Sequence, residues 1–577
     1  MTPDGGVAAM RRKTAWILFG MAAGALAALF LAPLALVLRG GFFVGGRFTL
    51  RYLLGVFLNP VYAEGLRNSL GIAAGTTALA ALIAVPLAWL ANRFTFPGAR
   101  WAGGLLLAPL MLPPFVGAIG FQQIFGPYGA LNAWLGLGAV DWLGRGRYAG
   151  VVLLQALALY PIIYLNVLAA LANIDPAMEE AAENLGCRPW RKFRRITLPL
   201  MRPGLFAGGT LVFIWSFTEL GAPLMMNCSR CAPVQVYDAL KDLGADPFPY
   251  ALVFVMLGVS VTLYAASRRL LGGRAWALPA RAATSAAPRV LRGWRGALAL
   301  AAFLLVIALA LVPHAGVVLT SCSAPGSWYQ TVLPARLTVS HYAEALSQGL
   351  AAGSIRNSLL YSALAVLLDL GLGLIIALVV VRSDLPVRGW LDALVMLPLA
   401  VPGLVLAFGY LAVSSTLGNQ AWVKESPFWQ TLLDVRTNPT LFLVIAYAVR
   451  RLPYMVRSAV AGLQQTAVTL EEAAANLGAP PRVVIRRITL PLIAANLLAG
   501  ALLAFAFSML EVSDSLILAQ RQDGYPITKA IYELSQFIGT GKYLAAALGV
   551  WAMAFLTLAM LGSSRLLGKK LGALFRV

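Results

Sequence analysis

The chain reads as an all-helical integral membrane protein of about twelve spans, arranged as two parallel six-span repeats. Three observations lead there. Of its 577 residues, 60% are hydrophobic and only 12% charged, with a mean hydropathy of +0.78. That is about half the charged share of an average soluble domain, so no single aqueous core can hide the apolar surface. Runs of roughly 20 or more apolar residues, long enough to carry a helix across ~30 Å of hydrocarbon, recur from end to end. Finally, one polar segment is written twice. Glu179-Glu-Ala-Ala-Glu-Asn-Leu-Gly186, running on to Arg195-Ile-Thr-Leu-Pro199, returns as Glu471-Glu-Ala-Ala-Ala-Asn-Leu-Gly478, running on to Arg487-Ile-Thr-Leu-Pro491, with 15 of 22 positions identical at an offset of 292.

The apolar runs lie near 15–38, 67–91, 102–125, 149–173, 203–225, 249–267, 296–320, 356–381, 389–413, 440–460, 493–518 and 544–564. Arg11-Arg-Lys13 precedes the first, whose 24 residues are too many for a signal-peptide core and lack a small-x-small cleavage site, so a retained helix is expected. Starting inside, the twelve-span arrangement puts 30 of the 45 Lys and Arg residues on the cytoplasmic side and 15 outside, the asymmetry of the positive-inside rule. Both termini and both repeated segments are then cytoplasmic. Topology and anionic lipid headgroups account for the net charge of +22. A nucleic-acid partner is not expected, because no basic domain interleaved with aromatics is present.

Residues 268–295 carry seven arginines among small residues and read as a cytoplasmic linker between a first half, 1–267, and a second, 296–577. The repetition extends beyond the polar segment. Arg67-Asn-Ser-Leu70 returns as Arg356-Asn-Ser-Leu359, and Pro109, Pro113 and Gly120 return as Pro398, Pro402 and Gly409, at an offset of 289. Pro161 returns as Pro453, at 292. An even number of spans per half makes the repeats parallel, related by an axis along the membrane normal, with a pathway between them.

Within the repeated segment, Asp175-Pro176 supplies an N-cap and an N1 proline, and Thr469 with Glu472 has capping-box spacing. A short helix should start at each and stop at Gly186 or Gly478, where glycine takes the left-handed conformation that ends a helix. Pro189 or Pro481 can start a second short helix, basic on its exposed side, which Pro199 or Pro491 ends or redirects before the next span.

The pattern Glu-Ala-Ala, three residues, Gly, nine residues, Ile-x-Leu-Pro, present from Glu180 and again from Glu472, resembles the signature EAA loop of permease subunits of bacterial ATP-binding-cassette (ABC) importers. The resemblance covers essentially the whole chain. It implies a fused permease, as in the ferric-iron and thiamine importer branches, in which one polypeptide replaces the usual pair. It also implies two cytoplasmic ATPase subunits that receive the loops, and a periplasmic or lipoprotein substrate-binding protein. The implied coupling residues are Glu179, Glu180, Ala181, Ala182, Gly186, Ile196, Leu198 and Pro199, with Glu471, Glu472, Ala473, Ala474, Gly478, Ile488, Leu490 and Pro491 in the second copy. Glu180 and Glu472 fall in the first turn of their helices, where a carboxylate suits the positive dipole end and can accept from a partner's arginines. Solvated connectors touching lipid are the plainer reading of such a loop, and the exact repetition argues against it.

No chemistry of the chain's own is visible, so it is not expected to be an enzyme or to carry a cofactor. Gly539-Thr-Gly-Lys-Tyr543 lacks the upstream glycine of a phosphate loop and has Tyr543 where a hydroxyl should hold magnesium. His314 and His341 have no partners at metal-ligand spacing. Cys228 and Cys231, in an outer loop, suit either a local disulfide or two idle thiols.

Glu219 and Glu511 match at 292, each about 25 Å along its helix from the cytoplasmic end, and Asp514 joins only the second. They are candidates for the pathway, as a gate or cation contact. The alternative is carboxylates at the outer interface or paired with a nearby arginine. Asp369, opposite Ala80 of the first half, suits helix packing. Ferric iron is the first substrate expectation, with thiamine, a polyamine, a phosphonate or an inorganic oxyanion as alternatives. A gradient-driven carrier would need midplane ionisable groups, for which essentially Asp369 alone qualifies, and a membrane enzyme would need a catalytic cluster.

Overall fold

The structure is a computed structural model that describes residues 12–44, 46–111, 113–172, 174, 176–239, 247–272, 289–347 and 349–567. Among the described residues nine helices are long and apolar enough to cross a membrane, and two bent pairs bring the number to eleven. The remaining expected span, 440–460, is the helix Thr440–Gln465. It carries Arg450, Arg451 and Arg457, more charge than an ordinary span tolerates. Those three arginines, counted above to the cytoplasmic side, therefore lie within a helix.

Each half repeats one architecture. A 34-residue helix, Pro60–Arg93 or Gly349–Arg382, is the second or eighth span. The third and ninth spans are broken: Ala99–Leu110 meets Pro114–Leu135 at 96°, and Arg388–Ala400 meets Gly403–Gly418 at 100°. Proline explains the breaks, because Pro113 and Pro402 stand extended at the corner and cannot continue the hydrogen-bond ladder. The fifth and eleventh spans, Leu198–Thr218 and Leu490–Met509, also break, and short helices Gly221–Met225 and Ser513–Leu518 follow.

The halves interlock through their first spans. A Cβ at Gly120 would collide with the backbone of Pro313 and Gly316 in the seventh span, and a Cβ at Gly409 would press on the Pro33 backbone in the first span. The repeated glycines thus let each half's leading helix lie on the other half at backbone distance. Tyr410 adds a hydroxyl bond to the Leu29 carbonyl, 2.8 Å.

Most of the expected linker, 273–288, lies outside the described residues. Its end is anchored: Arg289 and Val290 pair in parallel with Phe94 and Thr95 after the second span, and the Leu291 amide donates to the Thr95 carbonyl at 2.8 Å.

Candidate functional site: paired loops and a shared cavity

The first loop opens with the helix Pro176–Asn184 and the second with Val468–Asn476. Pro176 begins its helix as expected, and Asp175 lies outside the described residues. Thr469 is not an N-cap: Ala467 takes that place with no side-chain bond, and Thr469 is already inside the helix. Only Thr466 and Ala467 separate this helix from the tenth span, so the turn is too tight to wait for Thr469.

Both helices stop in the same way. Gly186 and Gly478 have φ of +72° and +85°. The Gly186 amide bonds the Glu183 carbonyl at 2.9 Å and the Cys187 amide bonds Ala182 at 2.9 Å. In the second copy Gly478 bonds Ala475 at 2.9 Å and Ala479 bonds Ala474 at 3.0 Å. This is the Schellman arrangement, which satisfies the last carbonyls only if the residue after the helix is left-handed, hence glycine. The bend leaves Leu185 and Leu477 projecting, 87% and 89% exposed.

Beyond the bend, Pro189–Lys192 and Pro481–Val484 do not form separate helices ended by proline. Each runs on through one π turn, Phe193–Thr197 or Ile485–Thr489, into the fifth or eleventh span. The wider turn accommodates Pro199 and Pro491, whose rings would clash with the carbonyl four residues earlier in a regular helix. Ile196 and Ile488 are half-buried, Leu198 and Leu490 likewise, and Arg194, Arg195, Arg486 and Arg487 are exposed. Loop and span are therefore one stiff element.

Ion pairs fix the loops to their own half. In the second, Glu471 accepts from Arg382 at the end of the eighth span, 3.0 and 3.3 Å, and from the Thr489 hydroxyl, 3.1 Å. Arg382 also donates to the Leu463 carbonyl at the end of the tenth span, 3.1 Å. In the first, Glu183 pairs with Arg93 (3.0 Å), Arg289 of the linker (3.2 Å) and Lys192. The Lys192 ammonium, with Arg289 adding to it, holds the Glu183 carboxyl below its ordinary range. Glu472 is half-buried, Ala181 and Ala473 are exposed, Ala182 is buried and Ala474 half-buried. Glu179 and Glu180 lie on the first helix, their side chains outside the described residues.

The four helix breaks surround one cavity of about 240 Å³ between the halves. Pro109, Pro113 and Glu219 line it from one half, and Pro398, Pro402 and Glu511 from the other. Glu219 is half-buried; its carboxylate accepts a long bond from the Ala222 amide, 3.4 Å. Glu511 is 5% exposed and takes Arg450 at 2.9 Å and Arg451 on its other oxygen. Asp514, fully buried, faces Arg450 at 3.5 Å. The two glutamates stand at helix breaks beside a shared cavity, and Glu511 is paired with nearby arginines, as the alternative reading had it. Asp369 is buried within electrostatic reach of Arg451. The intramembrane charge set is larger than sequence reading gave it.

Toward one end of the molecule repeat-equivalent residues meet: Tyr237 and Tyr532, 295 apart as the matching bonds of Ala232 to Ser69 and of Ile527 to Ser358 require, set their rings edge to face at 6.0 Å, and Lys529 donates to the Tyr237 hydroxyl at 3.1 Å. Lys529 also sits over the rings of Tyr237, Tyr525 and Tyr532 at 5.5–5.8 Å and pairs with Glu533 at 2.9 Å. His314 and His341 are both buried, and no group of three metal-binding side chains occurs among the described residues. Cys228 and Cys231 are buried and unbridged.

Repeat matching missed Arg450 and Arg451 because their counterparts are Ala158 and Leu159. Counting charges within each apolar run would have found them. Arg93 and Arg382 do recur at 289, a signal that was available. Nothing in the sequence marks Lys529.

Two loops, each spliced to a broken span that borders a common cavity, give the chain the architecture of a two-repeat membrane permease. The chain belongs to the family described as binding-protein-dependent transport system inner membrane component, which matches it twice, at 79–276 and 369–567. It is an ABC importer permease. It is 27% identical over 478 residues, 81% of this chain and 70% of the relative, to the putative ferric transport system permease protein FbpB 1 of Haemophilus influenzae. Identity to the ferric transport system permease protein FbpB of Actinobacillus pleuropneumoniae is also 27% over 478 residues, 80% of this chain but only 64% of that relative, under two thirds of its length. Over 197 residues, 32% of this chain and 84% of the relative, it is 31% identical to the molybdenum transport system permease protein ModB of Escherichia coli.

Proposed function

We propose that this chain forms the whole transmembrane pathway of an importer for ferric iron, its halves 1–267 and 296–577 joined by the linker 268–295. ATP is hydrolysed on two separate cytoplasmic ATPase subunits, and a periplasmic or lipoprotein binding protein delivers the solute to the opposite face. Both termini are cytoplasmic, in a bacterial inner membrane whose lipid headgroups meet the basic loops. One observation carries the reading: two loops, ended by the same glycine bend and presenting the same exposed leucine, feed without interruption into the two spans that break beside the cavity.

ATPase closure pushes both loops, Glu179 to Pro199 and Glu471 to Pro491, toward each other. Leu185 and Leu477 supply the apolar contact, and the exposed arginines of the π turns supply charge. Because the second part of each loop and its span are one continuous helix, Pro189–Thr218 or Pro481–Met509, about 45 Å long, displacement reaches Glu219 and Glu511 with little loss. The halves rock about the axis, and the Lys529 cage holds the far end shut until they part. Glu219, in none of the described ion pairs, and the two FbpB relatives favour a cation; Arg450 and Arg451, which line the same cavity, and the ModB likeness keep an oxyanion as the second reading.

Affinity purification of the tagged chain in mild detergent tests the coupling. An ATPase subunit should co-purify and be lost when Glu180 and Glu472 are charge-reversed. A chain that purifies alone and moves solute in ATP-free vesicles would overturn the reading. Iron-55 and molybdenum-99 uptake by cells holding this chain as sole permease separates the two solutes.

A further inference from the structure

The repeat makes Glu219 and Glu511 equivalent in position, yet their surroundings are opposite. Around Glu511 stand Arg450 and Arg451, one on each carboxylate oxygen, with Asp514 on the far side of Arg450. Arg451 further donates to the Phe507 carbonyl, 3.2 Å, the last turn before the eleventh span breaks. The clamp therefore ties the tenth span to both sides of that break. Room for it is built in: a Cβ at Gly403 would collide with the Arg450 guanidinium.

In the first half every part of this clamp is replaced. Ala158 and Leu159 stand for the two arginines, Pro114 for Gly403 and Ala222 for Asp514. Ala158, Leu159 and Pro114 line the cavity beside Glu219, which takes part in none of the described ion pairs. A carboxylate with a guanidinium on each oxygen has little capacity left for a solute, whereas a half-buried carboxylate that accepts only from the backbone amides of the turn after it, with Arg450 acting on it through its field alone, retains most of its own.

We propose that the two glutamates divide the work: Glu511 is a positioning residue, clamped by Arg450 and Arg451 to hold the break of the eleventh span in shape, and Glu219 is the carboxylate that meets the transported solute, a cation. The assignment to solute rests on the importer reading above; the clamp does not. Removing one partner of a buried ion pair strands the other charge, so loss of Glu511 or of either arginine is felt as lost structure. Loss of Glu219 strands nothing.

The test compares Glu219→Gln, Glu511→Gln, Arg450→Ala and Arg451→Ala in the full chain, by melting of the purified protein and by iron-55 uptake in cells per assembled copy. Glu511→Gln and each arginine variant should lower the melting temperature by at least about 5 °C, with the Glu511→Gln/Arg451→Ala double no worse than the sum. Glu219→Gln should melt within about 2 °C of wild type and transport at least about tenfold more slowly, with Glu219→Asp recovering part of the rate. Ala158→Arg with Pro114→Gly, which supplies the missing arginine, should abolish uptake, and adding Glu219→Gln should then lower its melting temperature further. Equal melting of Glu219→Gln and Glu511→Gln, unchanged melting of Glu511→Gln, or undiminished uptake by Glu219→Gln would overturn the division. If wild type itself moves neither iron nor molybdate, the solute reading fails, and the role of Glu219 toward a cation with it, while the melting series still decides the clamp.

Discussion

The two halves share a backbone and differ in where they spend their charge. The first gathers it at the loop end, where Arg93, Lys192 and Arg289 converge on Glu183. The second gathers it in two places: Arg382 on Glu471 at the loop and Arg450 with Arg451 on Glu511 at the cavity. Conformation is what both halves have in common: the left-handed glycine, the π turn, the proline corner, the break before a carboxylate. These devices depend on few residues and serve any loop or pathway of this shape. Side-chain partners answer to local neighbours, and an asymmetric pathway needs its two walls to differ. Parallel repeats therefore keep geometry and diverge in electrostatics.

The comparison breaks most visibly if the shared devices are unequal. Replacing Gly186 and Gly478 by Val forces a β-branched residue into a left-handed conformation, a cost of about 1–2 kcal/mol at each position. The double variant should insert normally and capture about a hundredfold less ATPase in pull-down titration, with each single variant near tenfold. Strongly unequal single variants would show that the loops are not equivalent handles.

Differences between the loops can be sharpened at the ion pairs. Glu471→Gln removes a carboxylate that is 15% exposed from Arg382, 7% exposed. Glu183→Gln acts on a carboxylate 38% exposed. Partial burial makes the first worth about 1–3 kcal/mol and the second under about 1 kcal/mol. Limited proteolysis of the loops should therefore speed up in the Glu471→Gln protein and barely change in the other.

A smaller effect is expected on the axis. Lys529→Met keeps the stem among the three tyrosine rings and removes the ammonium, so the two halves should part more readily. Basal ATPase activity of the assembled complex should rise about two- to fivefold, and an unchanged basal rate would put the closing contact elsewhere.

The smallest effect is on pH. Glu183 has its carboxyl depressed by Lys192, so its contribution to loop order is fully present above about pH 4, the ordinary carboxylate range, and is lost as pH falls through the lower folded value. Hydrogen exchange at 183–192 should rise as pH drops through that window, corrected for intrinsic rates, and Glu183→Gln should remove the dependence.

Much of this was legible in the sequence because it lives in composition and in backbone-specific residues. Apolar runs located every span, even the tenth with its three arginines. Gly186 and Gly478 announced the ends of the short helices, and the repeated Pro113 and Pro402 marked what proved to be corners. Local signals failed where a neighbour in space had the deciding vote. Thr469 looked like a cap until the tight turn from the tenth span began the helix earlier, and Pro199 looked like a terminator until the π turn absorbed it.

What the sequence alone determined is the membrane as solvent, the two-repeat plan and the loops that identify the family, since these follow from hydropathy and from residues whose backbone preferences are their own. Only the tertiary structure decided that Glu219 and Glu511 border one cavity, that Arg450 and Arg451 form ion pairs with the second and none of the described ones with the first, and that Tyr237 meets its counterpart Tyr532 beside Lys529. The physical reason is range. A glycine's φ is a property of one residue, whereas the value of a buried charge depends on what other spans bring within about 4 Å of it, and no local pattern records that.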